Sequence, residues 1–170
     1  MRLRSVPAFT VVSLCAGVVP ASPAAAAASG AYSISPAGIS RQCLYGQNIE
    51  VEQGVAPVGI APCDYTADGY AMKWDVVTVP GRTGHLLRGA GTDNCITYDP
   101  SAQADRAQFK PCDGSSSASR WIATMDNPAT VQFKAVDDPT KCLSQSGPTA
   151  KVLPCNSQFG MPKWTLTLAN

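Results

Sequence analysis

The sequence predicts an all-β fold built from three similar units closed about a common axis. Three observations carry that expectation. A skeleton of Cys-aliphatic, polar loop, Pro-Cys, second polar loop and Trp occurs three times, as Cys43-Leu44, Pro62-Cys63 and Trp74, then Cys95-Ile96, Pro111-Cys112 and Trp121, then Cys142-Leu143, Pro154-Cys155 and Trp164. The Trp residues are 47 and then 43 positions apart, and the second Cys of each unit precedes its Trp by 11, 9 and 9, so the order is held while loop length varies. Apolar residues come in short alternating runs punctuated by Gly, Pro, Ser and Thr, and no segment keeps a helical period with caps.

Met1 to about Ala28 reads as a secretory leader. Arg2 and Arg4 supply its basic start, Val11 to Val19 its apolar stretch, and Ala24 to Ala28 small-residue cleavage options. The apolar run is shorter than the roughly 20 residues that span a bilayer, so export without a membrane anchor is expected.

The first unit begins with Tyr32 and Ile34 alternating with Ser33 and Ser35, a half-buried strand. Pro36, Gly38 and Ser40 turn the chain toward Cys43, and after the polar loop from Gly46 to Ala56 the pair Val58 and Ile60 leads into Pro62-Cys63. Asp64 to Lys73 is a second polar loop, and Trp74 opens a strand that Pro80-Gly81 ends. In the second unit His85-Leu86-Leu87 forms a strand, Gly89 and Gly91 turn it, and Asn94-Cys95-Ile96 follows. Ala107 and Phe109 stand as far from their Pro-Cys as Val58 and Ile60 do from theirs, and Trp121-Ile122 follows the serine-rich stretch 115–119. The third unit runs through Val131 and Phe133, turns at Asp137-Asp138-Pro139, and continues through Cys142-Leu143 and Val152 to Trp164 and the alternating tail Thr165-Leu166-Thr167-Leu168. Four strands alone cannot bury their apolar face, so the three units must pack on one another.

Without Arg2 and Arg4, eleven Lys and Arg face twelve Asp and Glu, a balance that implies no nucleic acid or other polyanion partner. Without Cys15, six Cys remain and allow fifteen pairings. The repeat selects among them, because each unit carries one Cys at the end of one strand and one at the end of the next: Cys43 with Cys63, Cys95 with Cys112, Cys142 with Cys155. Loops of this size contribute about 3 kcal/mol each in the chain-entropy account. A metal site is the rival use of these cysteines, but they lack close-spaced ligand pairs and the one His, His85, is remote in sequence, so no metal and no cofactor are expected.

The opening Gly30-x-Tyr32-x-Ile34, followed by Cys-aliphatic, Pro-Cys and a Trp-bearing strand in three copies, resembles the ricin B-type β-trefoil, a lectin and carbohydrate-binding module fold. The resemblance covers about Gly30 to Leu168. It implies one domain over 29–170 with repeats of about 30–80, 81–128 and 129–170, pseudo-three-fold symmetry, twelve strands in six hairpins, and up to three shallow sugar sites. In the family an Asp two residues after the first Cys accepts two sugar hydroxyls; here Tyr45, Thr97 and Ser144 hold that position. The aromatic platform two before the second Cys is replaced by Ala61, Lys110 and Leu153. The Gln two before the Trp becomes Met72, Ser119 and Pro162, and the Asn before it Ala71, Ala118 and Met161. The fold signature is kept and the usual galactose-type site is not.

For a displaced sugar site the second unit offers Tyr98 as platform and Asp99 as hydroxyl acceptor, with Gln103 and Asp105 in the same loop. Asp99-Pro100 is equally the signature of a turn. The first unit offers Tyr45, Asn48 and Glu50. The three Trp occupy the family's interior position and are expected in the core. Another reading is a protein-binding scaffold, such as a secreted protease inhibitor, presenting the Gly46–Ala56 loop. Catalysis would have to fall on His85 or on carboxylate pairs such as Glu50 with Glu52 or Asp137 with Asp138, and no nucleophile motif or phosphate loop accompanies them. The expectation is a secreted monomer, not an enzyme, that binds a glycan or polysaccharide weakly.

Overall fold

The computed structural model describes residues 30–47, 56–101, 105–127 and 129–169, and within β9 it leaves the Asp126 side chain undescribed. The expected leader, together with Asn48, Glu50, Glu52 and Gln103, lies outside them. Among the described residues the regular structure is thirteen strands and one 3-10 turn, Ser117–Ser119. The strands are β1 (Tyr32–Pro36), β2 (Gln42–Gln47), β3 (Ala56–Pro62), β4 (Tyr70–Ala71), β5 (Trp74–Thr78), β6 (His85–Gly89) and β7 (Asn94–Tyr98). They continue with β8 (Ala107–Pro111), β9 (Arg120–Asn127), β10 (Thr130–Ala135), β11 (Lys141–Ser146), β12 (Thr149–Pro154) and β13 (Trp164–Leu168). The resemblance implied twelve; the additional one is β4, two residues long, inside the stretch read as a polar loop.

Six strands close into a ring by antiparallel pairing in the order β1, β5, β6, β9, β10, β13 and back to β1. Three of the joins are made at a tryptophan, with Tyr32 opposite Trp74, His85 opposite Trp121 and Val131 opposite Trp164. On its other side each indole-bearing residue pairs with Gly89, Ala135 or Pro36. The remaining hairpins, β2–β3, β7–β8 and β11–β12, cap one end of the ring and touch each other through β3–β8 and β3–β12. Closing the ring removes the unpaired edges that an open sheet would expose.

The core lies between ring and caps. Trp74, Trp121 and Trp164 are fully buried with Ile34, Leu44, Leu87, Ile96, Phe133 and Leu143 around them. Burying an aromatic ring of this size contributes about 4–6 kcal/mol before the entropy of fixing it. Each indole N–H is satisfied by the carbonyl of the residue that follows the unit's first Cys: Leu44 at 2.9 Å, Ile96 at 2.9 Å and Leu143 at 2.8 Å. The Cys-aliphatic dipeptide and the distant Trp recur together because one supplies the acceptor for the other. Phe109 meets Trp74 edge to face at 5.6 Å, and a Cβ on Gly46 or Gly89 would stand within 2.8 Å of the Phe109 ring, so two strands approach it only as glycine.

The disulfides join Cys43 to Cys63, Cys95 to Cys112 and Cys142 to Cys155, the pairing the repeat selects. Each bridges the base of one cap hairpin, with Cα atoms 4.8 to 4.9 Å apart.

Candidate functional site

Tyr98 is a correction to the sequence reading. Four consecutive residues of β7, Cys95 to Tyr98, are buried, because the β7–β8 cap has neighbours on both faces. Tyr98 is 5% exposed and belongs to the core cluster, so it offers no ring face to a ligand. Burial pushes its phenol up from the ordinary value, and the carboxylates of Asp105, Asp138, Asp137 and Asp99 add to the effect. Asp99 is the turn residue: its Oδ1 accepts the Ser101 backbone N–H at 2.9 Å and the Ser101 hydroxyl at 2.6 Å. The same device recurs at Asp113 with Ser115 and at Asp138 with Thr140, where the accepted hydrogen bonds hold each carboxyl below its ordinary value. Asp105 sits at φ 50 with its carboxylate 4.0 Å from Lys141 Nζ. The structure therefore assembles no platform with an acceptor in the second unit, among the described residues.

In the first unit the structure does bring aromatic residues together. Tyr45 lies in β2 opposite Gly59, and a Cβ on Gly59 would stand 2.7 Å from the Tyr45 ring, so the phenol rests on bare backbone. The short β4 pairs with the end of β2, Gln47 opposite Tyr70, and carries the Tyr70 ring to 5.3 Å from that of Tyr45. Tyr65 follows Cys63 in a turn closed by its N–H to the Pro62 carbonyl, and its ring meets Tyr70 edge-on at 5.4 Å. The Gln47 amide donates to the Tyr70 hydroxyl at 3.1 Å. Desolvation among these rings pushes the Tyr70 hydroxyl up, Tyr65 and Tyr45 add to the rise, and the Gln47 bond opposes it.

The result is a wall of three phenols, with Tyr65 at its open end 41% exposed. Phenol faces cover apolar C–H surface, while their hydroxyls and the Gln47 amide donate or accept hydrogen bonds. Of the expected first-unit residues, Tyr45 is part of this wall, and Asn48 lies in 48–55, outside the described residues, as does most of the loop expected to present a protein-binding surface. Tyr65 and Tyr70 were missed, although four of the chain's five tyrosines, Tyr32 among them, fall in the first unit.

His85 faces Thr78 across the β5–β6 hairpin, its Nδ1 3.3 Å from the Thr78 hydroxyl. Among the described residues no group of three or more His, Cys, Asp and Glu side chains is arranged to hold a metal ion.

No protein-family model and no curated protein sequence matches this chain. Solved structures do match in shape. PSL1a, determined as its E64 complex, superposes with TM-score 0.66 at 15% identity over 82% of this chain and 48% of its own. The Polyporus squamosus lectin, bound to the epitope Neu5Acα2-6Galβ1-4GlcNAc, gives TM-score 0.62 at 15% identity over 82% of this chain and 49% of its own. ThreeFoil, a designed three-fold symmetric protein, gives TM-score 0.59 at 15% identity over 82% of this chain and 99% of its own. This chain thus spans about half the length of the first two and nearly all of the third. At such identity the likeness shows the fold, and the fold is a β-trefoil.

Proposed function

We propose that this chain is a secreted, non-catalytic, three-repeat β-trefoil of the ricin B type that recognises glycans weakly through the Tyr45, Tyr65 and Tyr70 wall. The observation that carries the reading is that wall: three rings and an amide gathered beside one cap hairpin, with Tyr45 at the position where the resemblance expects the sugar-binding Asp. The structural likeness to the Polyporus squamosus lectin supports it at the level of fold. Three disulfides fit an oxidising, extracellular setting. An isolated shallow site of this kind binds near millimolar, about 4 kcal/mol, and multivalent presentation supplies further avidity.

The test is an amide chemical-shift titration of the domain with monosaccharides and soluble plant, fungal and bacterial polysaccharides. Saturable shifts confined to the hairpin carrying Tyr45 and to Tyr65 and Tyr70, weakened about tenfold in Tyr70→Ala, are the expected result. Silence across the panel would remove the glycan reading and turn attention to a protein partner of the Gly46–Ala56 loop.

A further inference from the structure

The first cap hairpin carries an open cleft over its disulfide. Ser40, Arg41, Gln42, Pro62, Cys63 and Asp64 line it around a volume of about 530 Å³. Cys63 is exposed, whereas Cys112 and Cys155, at the same place in the other two units, are half-buried. Its partner Cys43 is only 1% exposed. A thiolate from solvent can therefore reach one end of this bridge, and exposed disulfides are the exchangeable ones.

Two local features suit the cleft to exchange. The first is Ser35, whose Oγ lies 3.4 Å from Cys43 Sγ and 3.9 Å from Cys63 Sγ. A disulfide carries no proton, so the hydroxyl is the donor. If the bridge opens, the buried Cys43 sulfur becomes a thiolate, and a hydroxyl already beside it makes the stronger, charge-assisted bond. A leaving thiol stabilised in this way departs faster.

The second feature is a pair of opposite charges. Arg41 stands at φ 68, a left-handed backbone that arginine seldom adopts, and its carbonyl accepts the Cys63 N–H at 3.0 Å. Asp64 follows Cys63 directly. Both charged side chains are exposed, both line the cleft, and neither forms an ion pair among the described residues. A free cation and a free anion beside one sulfur match the carboxylate and the ammonium of an amino-acid or short-peptide thiol.

We infer that Cys63 is a site of mixed-disulfide formation with small thiols that carry both an ammonium and a carboxylate. The thiolate attacks Cys63 Sγ, a new S–S bond forms, and the Cys43–Cys63 bond breaks. The electron pair leaves on Cys43 Sγ, which accepts the Ser35 hydrogen bond and then takes a proton from water. The thiol is oxidised and Cys43 is reduced, so no further redox partner is required. The hairpin stays closed, because β2 and β3 pair at five positions from Gln42 with Pro62 to Gly46 with Val58. The inference is independent of the glycan reading.

The experiment incubates the folded protein with excess glutathione and, in parallel, with uncharged 2-mercaptoethanol at equal thiolate concentration. Early samples are quenched by alkylation and mapped by peptide mass. Glutathione on Cys63 with an alkylated Cys43 is expected, formed about tenfold or more faster than either other bridge opens. Ser35→Ala should slow both thiols about tenfold. Arg41→Gly, which the left-handed backbone accepts, and Asp64→Asn should each slow glutathione about threefold more than 2-mercaptoethanol, with amide dispersion reporting an intact fold.

Opening of all three bridges together would overturn the inference, since it would mean that exchange waits on unfolding. An adduct on Cys43, or none on either cysteine, would sink it as well. So would an equal response of the two thiols to Arg41→Gly and Asp64→Asn.

Discussion

At the scale of single residues, burial decides which tyrosines titrate late. Tyr98 sits in the core near four aspartates, and Tyr70 sits among two other phenols, so both hydroxyls are held above the ordinary value of 10.0. The neutral phenol is thus favoured in the folded state relative to the unfolded one. The associated stability is fully present below pH 10.0, the unfolded value, and is lost as pH rises through the raised folded values. Alkaline titration followed by phenolate absorbance should show these two tyrosines ionising last, with loss of near-ultraviolet circular dichroism accompanying Tyr98. In Tyr98→Phe the late component coupled to unfolding should disappear. If Tyr98 instead ionised at the ordinary value with the fold intact, it would not be a core residue.

At the scale of elements, each cap hairpin is a unit of chain order, a disulfide and a tryptophan acceptor. The third disulfide closes the shortest loop, 13 residues apart against 17 and 20 for the others, and it anchors the segment carrying Phe159. Replacing Cys142 and Cys155 together by Ser should lower unfolding free energy by about 3 kcal/mol in denaturant titration, with the fold retained. A loss near zero would mean that the β11–β12 ladder and the Trp164 to Leu143 bond already hold the hairpin closed.

These hairpins also explain what was legible in the sequence. Strands such as β1 and β10 alternate because one face meets the core and the other solvent, and Pro and Gly mark their ends. The disulfide pairing followed from the repeat for the same reason, since equivalent strand ends must meet. β7 hid its orientation: with both faces covered it buries Cys95 to Tyr98 without alternation, and Tyr98 looked like a loop residue. β4 was invisible because two residues have no period. The tyrosine wall was illegible as a site because Tyr45, Tyr65 and Tyr70 meet only through the β2–β4 pairing, the Gly59 gap and the Cys43–Cys63 bridge.

At the scale of the whole molecule, the ring of six strands makes chain order less important than closure. β1 and β13 pair over five residues, from Tyr32 with Leu168 to Pro36 with Trp164, and Ala169 donates its N–H to the Ala31 carbonyl at 2.9 Å. The first and last strands of the described chain are therefore neighbours, and a short Gly-Ser link from residue 169 to residue 30 would join them without crossing the core. The turn between β5 and β6 is the place to open the chain, because Gly81, at φ 69, has nothing within 4 Å of an added Cβ and five paired positions would still hold β5 to β6. Such a circular permutant should fold with the same three disulfides and the same amide dispersion, losing about 1–3 kcal/mol of stability from altered loop closure.

The matching truncation, without β13, should fail to fold. It removes Trp164 from the core and leaves β1 and β10 facing solvent with unpaired edges. A permutant that collapses while the truncation survives would mean that the ring is not what stabilises the molecule. The reverse outcome would assign the stability of all three caps, and with them the tyrosine wall, to closure of the strands beneath.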